Sequence, residues 1–316
     1  MPPSKPFRQG KFADLPQIPH KPHGFGLTQG RDVAVGSAVF GPIRVHVRVF
    51  GQGPPLLLVH GLMTSSYSWR YCFAPLGEHF TCYAVDLPGA GRSDRVRDVA
   101  YSPNNLATLL HELVSELDIG GCACIGNSMG GYLAMQLAMR EPSAISRLVN
   151  LHSPGVPEWR LWALRLAFAV PGSAWALRRW IRRDPLRFAH SNVHYYDESL
   201  KSVEEAREYG EVMRDDAGAQ TLVKYLTETM ALPPMQAFQR ELAANRATGK
   251  PFPVPLQLVY ARQDPMVPPR FGRVFADQIL GAQLYWLDGA SHFAHVDATD
   301  AFLGVALPFL VDGGRT

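Results

Sequence analysis

Five short runs in this chain are apolar without alternation: PLLLVH at 55–60, FTCYAVD at 80–86, CACIGN at 122–127, LVNLH at 148–152 and VPLQLVYA at 254–261. A strand with one wet face alternates polar and apolar residues, so unbroken runs indicate strands covered on both faces, as in a parallel sheet flanked by helices. The stretches between them supply those helices. SPNNLATLLHELVSELD at 102–118 carries Leu106, Leu109, Leu110 and Leu113 as one apolar stripe and stops at Gly120-Gly121. Further helical patterns follow Ser128, Arg270 and Asp297. Upstream, DVAVGSAVF and IRVHVRVF do alternate, which predicts an antiparallel hairpin at a sheet edge. The expected class is α/β, a mostly parallel sheet with an N-terminal antiparallel hairpin.

The strand and helix alternation breaks between 154 and 241, where Trp, Arg, Ala and Leu dominate and no buried-strand run occurs. A helical cap inserted after the sixth strand accounts for this, since open α/β sheets bind ligands beyond the C-terminal ends of their strands. The expected organisation is an extended arm over 1–30, a core over 31–153 and 242–316, and the cap over 154–241. The arm is basic and Pro-rich but lacks the apolar stretch of a signal peptide, and reads as lying over a core it does not build. A formal charge of +3 with no long Lys/Arg block gives no nucleic-acid footprint. No apolar run reaches 18 residues, so no membrane span is expected and a cytoplasmic protein is the default. Cys72, Cys82, Cys122 and Cys124 lack metal or redox spacing and read as reduced packing residues. Neither a metal site nor a cofactor is implied, because no ligand-spaced cluster and no G-x-G-x-x-G occurs.

The strongest local signal is Gly126-Asn127-Ser128-Met129-Gly130-Gly131, a G-x-S-x-G between a buried strand and a helix. Its glycines leave room for a sharp turn that lifts the Ser128 hydroxyl above the sheet, with a helix N-terminus beneath it. On these residues the chain resembles the α/β-hydrolase superfamily, from about Val33 to Leu310. The resemblance implies a series of further landmarks, and each has a candidate. His60-Gly61-Leu62 follows the third strand, with His60 structural and the Leu62 N–H as one oxyanion donor; the Met129 N–H is the other. Asp86-Leu87-Pro88-Gly89-Ala90-Gly91-Arg92-Ser93 is similar to a structural loop of the superfamily. Asp264, after the seventh strand, is the implied acid and His292, in Gly289-Ala290-Ser291-His292, the implied base. The segment after the sixth strand, Asn150 to Pro154, offers no carboxylate, and His295 is a nearby competitor of His292.

The stretch HGLMTSSYSWRY resembles haloalkane dehalogenases and epoxide hydrolases, which attack with Asp, whereas this chain has Ser128. An alkyl ester on carboxylate can be hydrolysed; an ether on Ser cannot be resolved that way, so the nucleophile favours acyl transfer. The expected function is a serine hydrolase (carboxylesterase-like) cleaving carboxylic esters of a small or medium apolar substrate through an acyl-enzyme on Ser128. GNSMGG is also similar to the meta-cleavage-product hydrolases, making carbon–carbon bond hydrolysis the alternative. A non-catalytic α/β-hydrolase-fold binding protein is the alternative of another class. Trp69, Trp162, Tyr195, Met266 and Phe293 are the candidate substrate contacts. In the cap, WRLWALRLAFAVPGSAWALRRWIRR is expected to pack its tryptophans down on the pocket and leave its arginines solvated. The other reading of that stretch is contact with a lipid interface.

Overall fold

The computed structural model describes residues 6–312. Eight strands form one sheet: β1 (Gln29–Ser37), β2 (Gly41–Phe50), β3 (Pro55–Val59), β4 (Thr81–Val85), β5 (Cys122–Asn127), β6 (Ile145–Leu151), β7 (Leu256–Ala261) and β8 (Gln283–Leu287). Their order is β1-β2-β4-β3-β5-β6-β7-β8. β1 and β2 pair antiparallel, and β2 lies antiparallel against β4 through Val47 opposite Val85. Every later neighbour is parallel. This is the mostly parallel sheet with an N-terminal antiparallel hairpin expected from the strand patterns, and the α/β-hydrolase architecture that the resemblance implies. The alternation in β1 appears as Val33, Val35 and Ser37 buried between exposed neighbours.

The unbroken apolar runs are explained by two cores, one on each face of the sheet. Leu57 and Val59 of β3 face a cluster that includes Leu106, Leu109 and Leu113, while Leu56 and Leu58 face another that includes Phe302 and Phe309. The covering helices of the core are α1 (Phe73–Gly77), α2 (Pro103–Glu116) and α3 (Met129–Arg140). Ser102 caps α2 by accepting the Asn105 N–H, with Pro103 at the first turn.

Between β6 and β7 the chain is helical: α4 (Trp159–Ala169), α5 (Ser173–Arg183), α6 (Pro185–Asn192), α7 (Val203–Gly210), α8 (Asp216–Lys224) and α9 (Leu232–Ala247). The boundary expected at 241 falls inside α9, whose apolar positions Leu232, Met235, Phe238 and Leu242 continue one buried stripe. The chain then returns through β7, α10 (Arg270–Gln278), β8, α11 (Ala294–Asp297) and α12 (Thr299–Asp312). No helix among the described residues is long and apolar enough to cross a membrane.

The N-terminal arm does more than lie over a finished core. Its backbone carbonyls at Pro16 and Gln17 accept the N–H groups of Val203 and Glu204, and Gln9 donates to the His190 carbonyl at 2.6 Å. Phe25 is buried against Tyr67, with ring centroids 4.9 Å apart. The arm is thus stitched to α6 and α7 and contributes a core side chain, which its Pro-rich composition concealed.

Candidate active site

The sheet order reverses at β3: the chain leaves β3 for β4 on one side and crosses back to β5 on the other. The loops after β3 and β5 therefore diverge around one crevice at the C-terminal edge. Ser128 follows β5 with φ 53° and ψ −121°, and Met129 begins α3. Positive φ on a residue with a Cβ costs on the order of 1–3 kcal/mol and persists only where the surroundings impose it. Here they do. A Cβ on Gly126 would meet the Gly130 carbonyl at 2.6 Å, and one on Gly130 would collide with the Val59 and His60 carbonyls. The close approach of α3 to both strands thus requires the flanking glycines. Gly61, in the loop after β3, is close but less tight: a Cβ there would lie 3.1 Å from the Ser128 Cβ.

His60 fixes that loop. Its Nδ1 donates to the Gly61 carbonyl at 2.7 Å, where Thr64 Oγ1 also donates at 3.0 Å, and its Nε2 accepts the Leu87 N–H. In a trans peptide the N–H points opposite to the carbonyl, so these bonds turn the Leu62 N–H away from His60 and Thr64. Asp86 braces the next loop by accepting the Ser66 and Arg92 N–H groups.

On the far side of the crevice, His292 Nδ1 donates to Asp264 Oδ2 at 2.7 Å. Asp264 Oδ1 accepts the N–H groups of Met266 and Val267 at 2.7 and 2.9 Å. Burial works to raise the Asp264 pKa, but His292 and these hydrogen bonds outweigh it and hold the carboxyl below the usual range. Asn127 Nδ2 donates to the His292 carbonyl at 3.1 Å, tying the Ser128 turn to the loop that carries the imidazole. A family model for the α/β-hydrolase fold matches residues 54–299.

The chain belongs to the α/β-hydrolase fold family. It is similar to the 2-hydroxymuconate semialdehyde hydrolase of Pseudomonas sp. (strain CF600), 25% identical over 85% of this chain and 91% of that protein. The pimeloyl-[acyl-carrier protein] methyl ester esterase of Nitrosospira multiformis is also 25% identical, over 85% of this chain and 99% of that one. Among solved structures, the epoxide hydrolase CorEH superposes with a TM-score of 0.72 at 20% identity, covering 90% of this chain and 99% of that chain. The chain is a hydrolase of this family.

Within the hydrolase frame, His295 is not a partner of Asp264. It is buried against Trp69, ring centroids 4.5 Å apart, and burial drives its pKa well below the ordinary histidine value. Of the candidate substrate contacts, Phe293 lies beside His292 with ring centroids 5.3 Å apart, and Met266 is partly exposed next to Asp264. The other three fall elsewhere. Trp69, itself in the segment between β3 and α1, is fully buried and packs on His295. Tyr195 is fully buried and its hydroxyl donates to Glu205 Oε2 at 2.5 Å. Trp162 stands 51% exposed on α4. Aromatic residues near a motif in sequence gave no means of telling a pocket wall from a packing residue.

Two residues escaped the sequence reading. Asn127 occupies the variable position of the motif, so no pattern marks it. His152 follows β6 with φ 55°, and its ring lies 5.5 Å from that of His292. Ala261 N–H donates to His152 Nε2 at 2.6 Å, which fixes the proton on Nδ1. Burial, reinforced by His292 and opposed by Asp264, pushes its pKa down to about 3. His152, Asp264 and His292 bring ligand-type atoms within 4.8 Å of one another. A hydrogen bond already joins Asp264 to His292, and the Ala261 N–H occupies His152 Nε2, so these ligand-type atoms are already engaged within the protein. His152 fills with a neutral ring the place where the sixth strand ends beside the Asp264–His292 pair.

Proposed function

We propose that this hydrolase cleaves carboxylic esters of a small or medium apolar substrate through an acyl-enzyme on Ser128, with His292 as base and Asp264 as its orienting acid. The observation that carries the reading is the Asp264–His292 pair, joined at 2.7 Å and fastened by Asn127 to the strained Ser128 turn. With Nδ1 committed to Asp264, the imidazole has Nε2 left to accept the Ser128 proton as Oγ attacks the ester carbonyl. The carbonyl oxygen takes up the displaced electron pair. The Leu62 and Met129 N–H groups, from the two loops that meet at the crevice, would stabilise that oxyanion, at about 3 kcal/mol per donor. Collapse expels the alcohol, which takes the proton from His292. Water attack, with its proton passing to His292, then releases the acid and restores Ser128.

One specific observation favours a second reading. The likeness to 2-hydroxymuconate semialdehyde hydrolase of Pseudomonas sp. (strain CF600) extends over 85% of this chain, and carbon–carbon hydrolysis uses the same kind of site. Assaying p-nitrophenyl butyrate beside a ring-cleavage dienone separates the two. Faster turnover of the ester is expected; turnover of the dienone alone would replace ester cleavage with carbon–carbon hydrolysis.

A further inference from the structure

The cap is fastened to the core unevenly. Arg70 reaches Glu205 of α7, Tyr225 donates to the Pro88 carbonyl at 2.8 Å, and Phe238 of α9 packs on Tyr132. The first two cap helices are held more lightly: Arg160 of α4 donates to the Met266 carbonyl at 3.3 Å, Glu158 at the start of α4 pairs with Arg270, and α5 buries Ile181 alone. α4 is WRLWALRLAFA, and not one of its residues is buried. Its apolar residues form two stripes at helical spacing. Leu161, Leu164 and Phe168 face inward but border an apolar cavity of about 330 Å³ together with Leu226 and Leu232. Trp159, Trp162 and Leu166 face outward, with Trp159 70% and Leu166 68% exposed. Val170, Trp175 and Trp180 extend the bare surface into the turn and α5. A helix apolar on both sides requires a non-aqueous neighbour.

The charge of the same surface says what that neighbour is. Trp159 to Arg183 contains six arginines and no carboxylate. Arg178 and Arg182 share Asp216, and Arg160 lies near Glu158. Arg165, Arg179 and Arg183 have no carboxylate partner among the described residues. A second copy docked by two-fold symmetry would set this arginine face against itself. Exposed tryptophans interleaved with arginines match instead the boundary of an anionic bilayer, where indole rings sit at headgroup level and cations meet lipid phosphates.

We infer that the α4–α5 hairpin is a peripheral docking surface for anionic membranes, lying on the bilayer without crossing it. The test uses the full chain in sedimentation with equimolar phosphatidylcholine–phosphatidylglycerol vesicles and with phosphatidylcholine vesicles alone. Binding to the anionic vesicles is expected, weaker in high salt, with a blue shift of tryptophan emission as the bare indoles leave water. Arg179→Glu/Arg183→Glu should lower the partition more than about tenfold, since each charge near such a surface contributes severalfold. Trp159→Ala/Leu166→Ala should lower it as much by removing apolar anchors. Both variants melt as the wild type does. Absence of wild-type binding to anionic vesicles, or binding that neither variant weakens, would overturn the proposal. So would a dimer in light scattering that Trp159→Ala/Leu166→Ala dissociates.

Discussion

Trp69 and Arg70 are neighbours in sequence and both are completely buried, whereas the tryptophans and arginines of α4 and α5 stand mostly in solvent. The residue types are the same, so the difference lies in what surrounds them. Arg70 Nη2 is 2.5 Å from Glu205 Oε2, with the Tyr195 and Tyr209 hydroxyls as further partners and two aromatic rings, Tyr67 and Tyr71, under the guanidinium. A buried charge is tolerable only when paired and hydrogen-bonded. Among the described residues, Asp216 is the one carboxylate paired with arginines of α5, and it is shared by Arg178, Arg182 and Arg97. The inner cluster therefore ties the loop after β3 to α7 of the cap, whereas the outer arginines and tryptophans lack such an enclosure.

The sharpest way to break this contrast is activity. Ser128→Ala or His292→Ala should lower kcat on a soluble ester by about 10⁶-fold, and Asp264→Asn by about 10⁴-fold, by analogy with triads that act as a unit. Trp175→Ala, on the outer surface, should leave kcat on that ester unchanged. Equal losses from inner and outer substitutions, measured by steady-state kinetics, would dissolve the distinction.

Stability comes next in size. Arg70→Met strands Glu205 without its cation and should cost about 3–5 kcal/mol in urea unfolding, while Arg70→Met/Glu205→Leu costs less than the two single changes summed. Arg183→Ala, exposed and without a carboxylate partner among the described residues, should stay within about 0.5 kcal/mol. Removal of Arg70 without measurable destabilisation would contradict the picture of a paired, buried tie.

A smaller effect is linked to pH. The Asp264 carboxyl is held below its ordinary value of 3.8, so the native state binds its proton less readily than the unfolded chain does. The associated stability is fully present above 3.8 and drains away as the pH falls through the lower native value. Melting curves of wild type and Asp264→Asn should therefore converge on acidification. A gap that stays constant down to pH 2 would show that the carboxylate is not the source.

The parallel core and the turn at Ser128 were legible because each is a local signal, an unbroken apolar run or a glycine pair around a turn, whereas Asp264 and His292 were implied only by the resemblance to the α/β-hydrolase superfamily. Long-range partnerships were not legible. Nothing in GNSMGG says that Asn127 reaches the His292 carbonyl, and nothing after the sixth strand says that His152 packs on His292. The fate of the cap aromatics was hidden for the same reason. The tryptophans of α4 and α5 were expected to pack inward, but the inward positions at helical spacing belong to Leu161, Leu164 and Phe168, which leaves the indoles outside. A helix apolar on two sides does not reveal which side faces the core until its neighbours are known.

The central proposal, that the Asp264–His292 pair makes Ser128 a nucleophile, is met most directly by treating the folded protein with a fluorophosphonate and mapping the adduct by mass spectrometry. A single adduct on Ser128, lost in Ser128→Ala and strongly slowed in His292→Ala, is the predicted result. Unlabelled Ser128 in correctly folded protein, or labelling unaffected by His292→Ala, would contradict it.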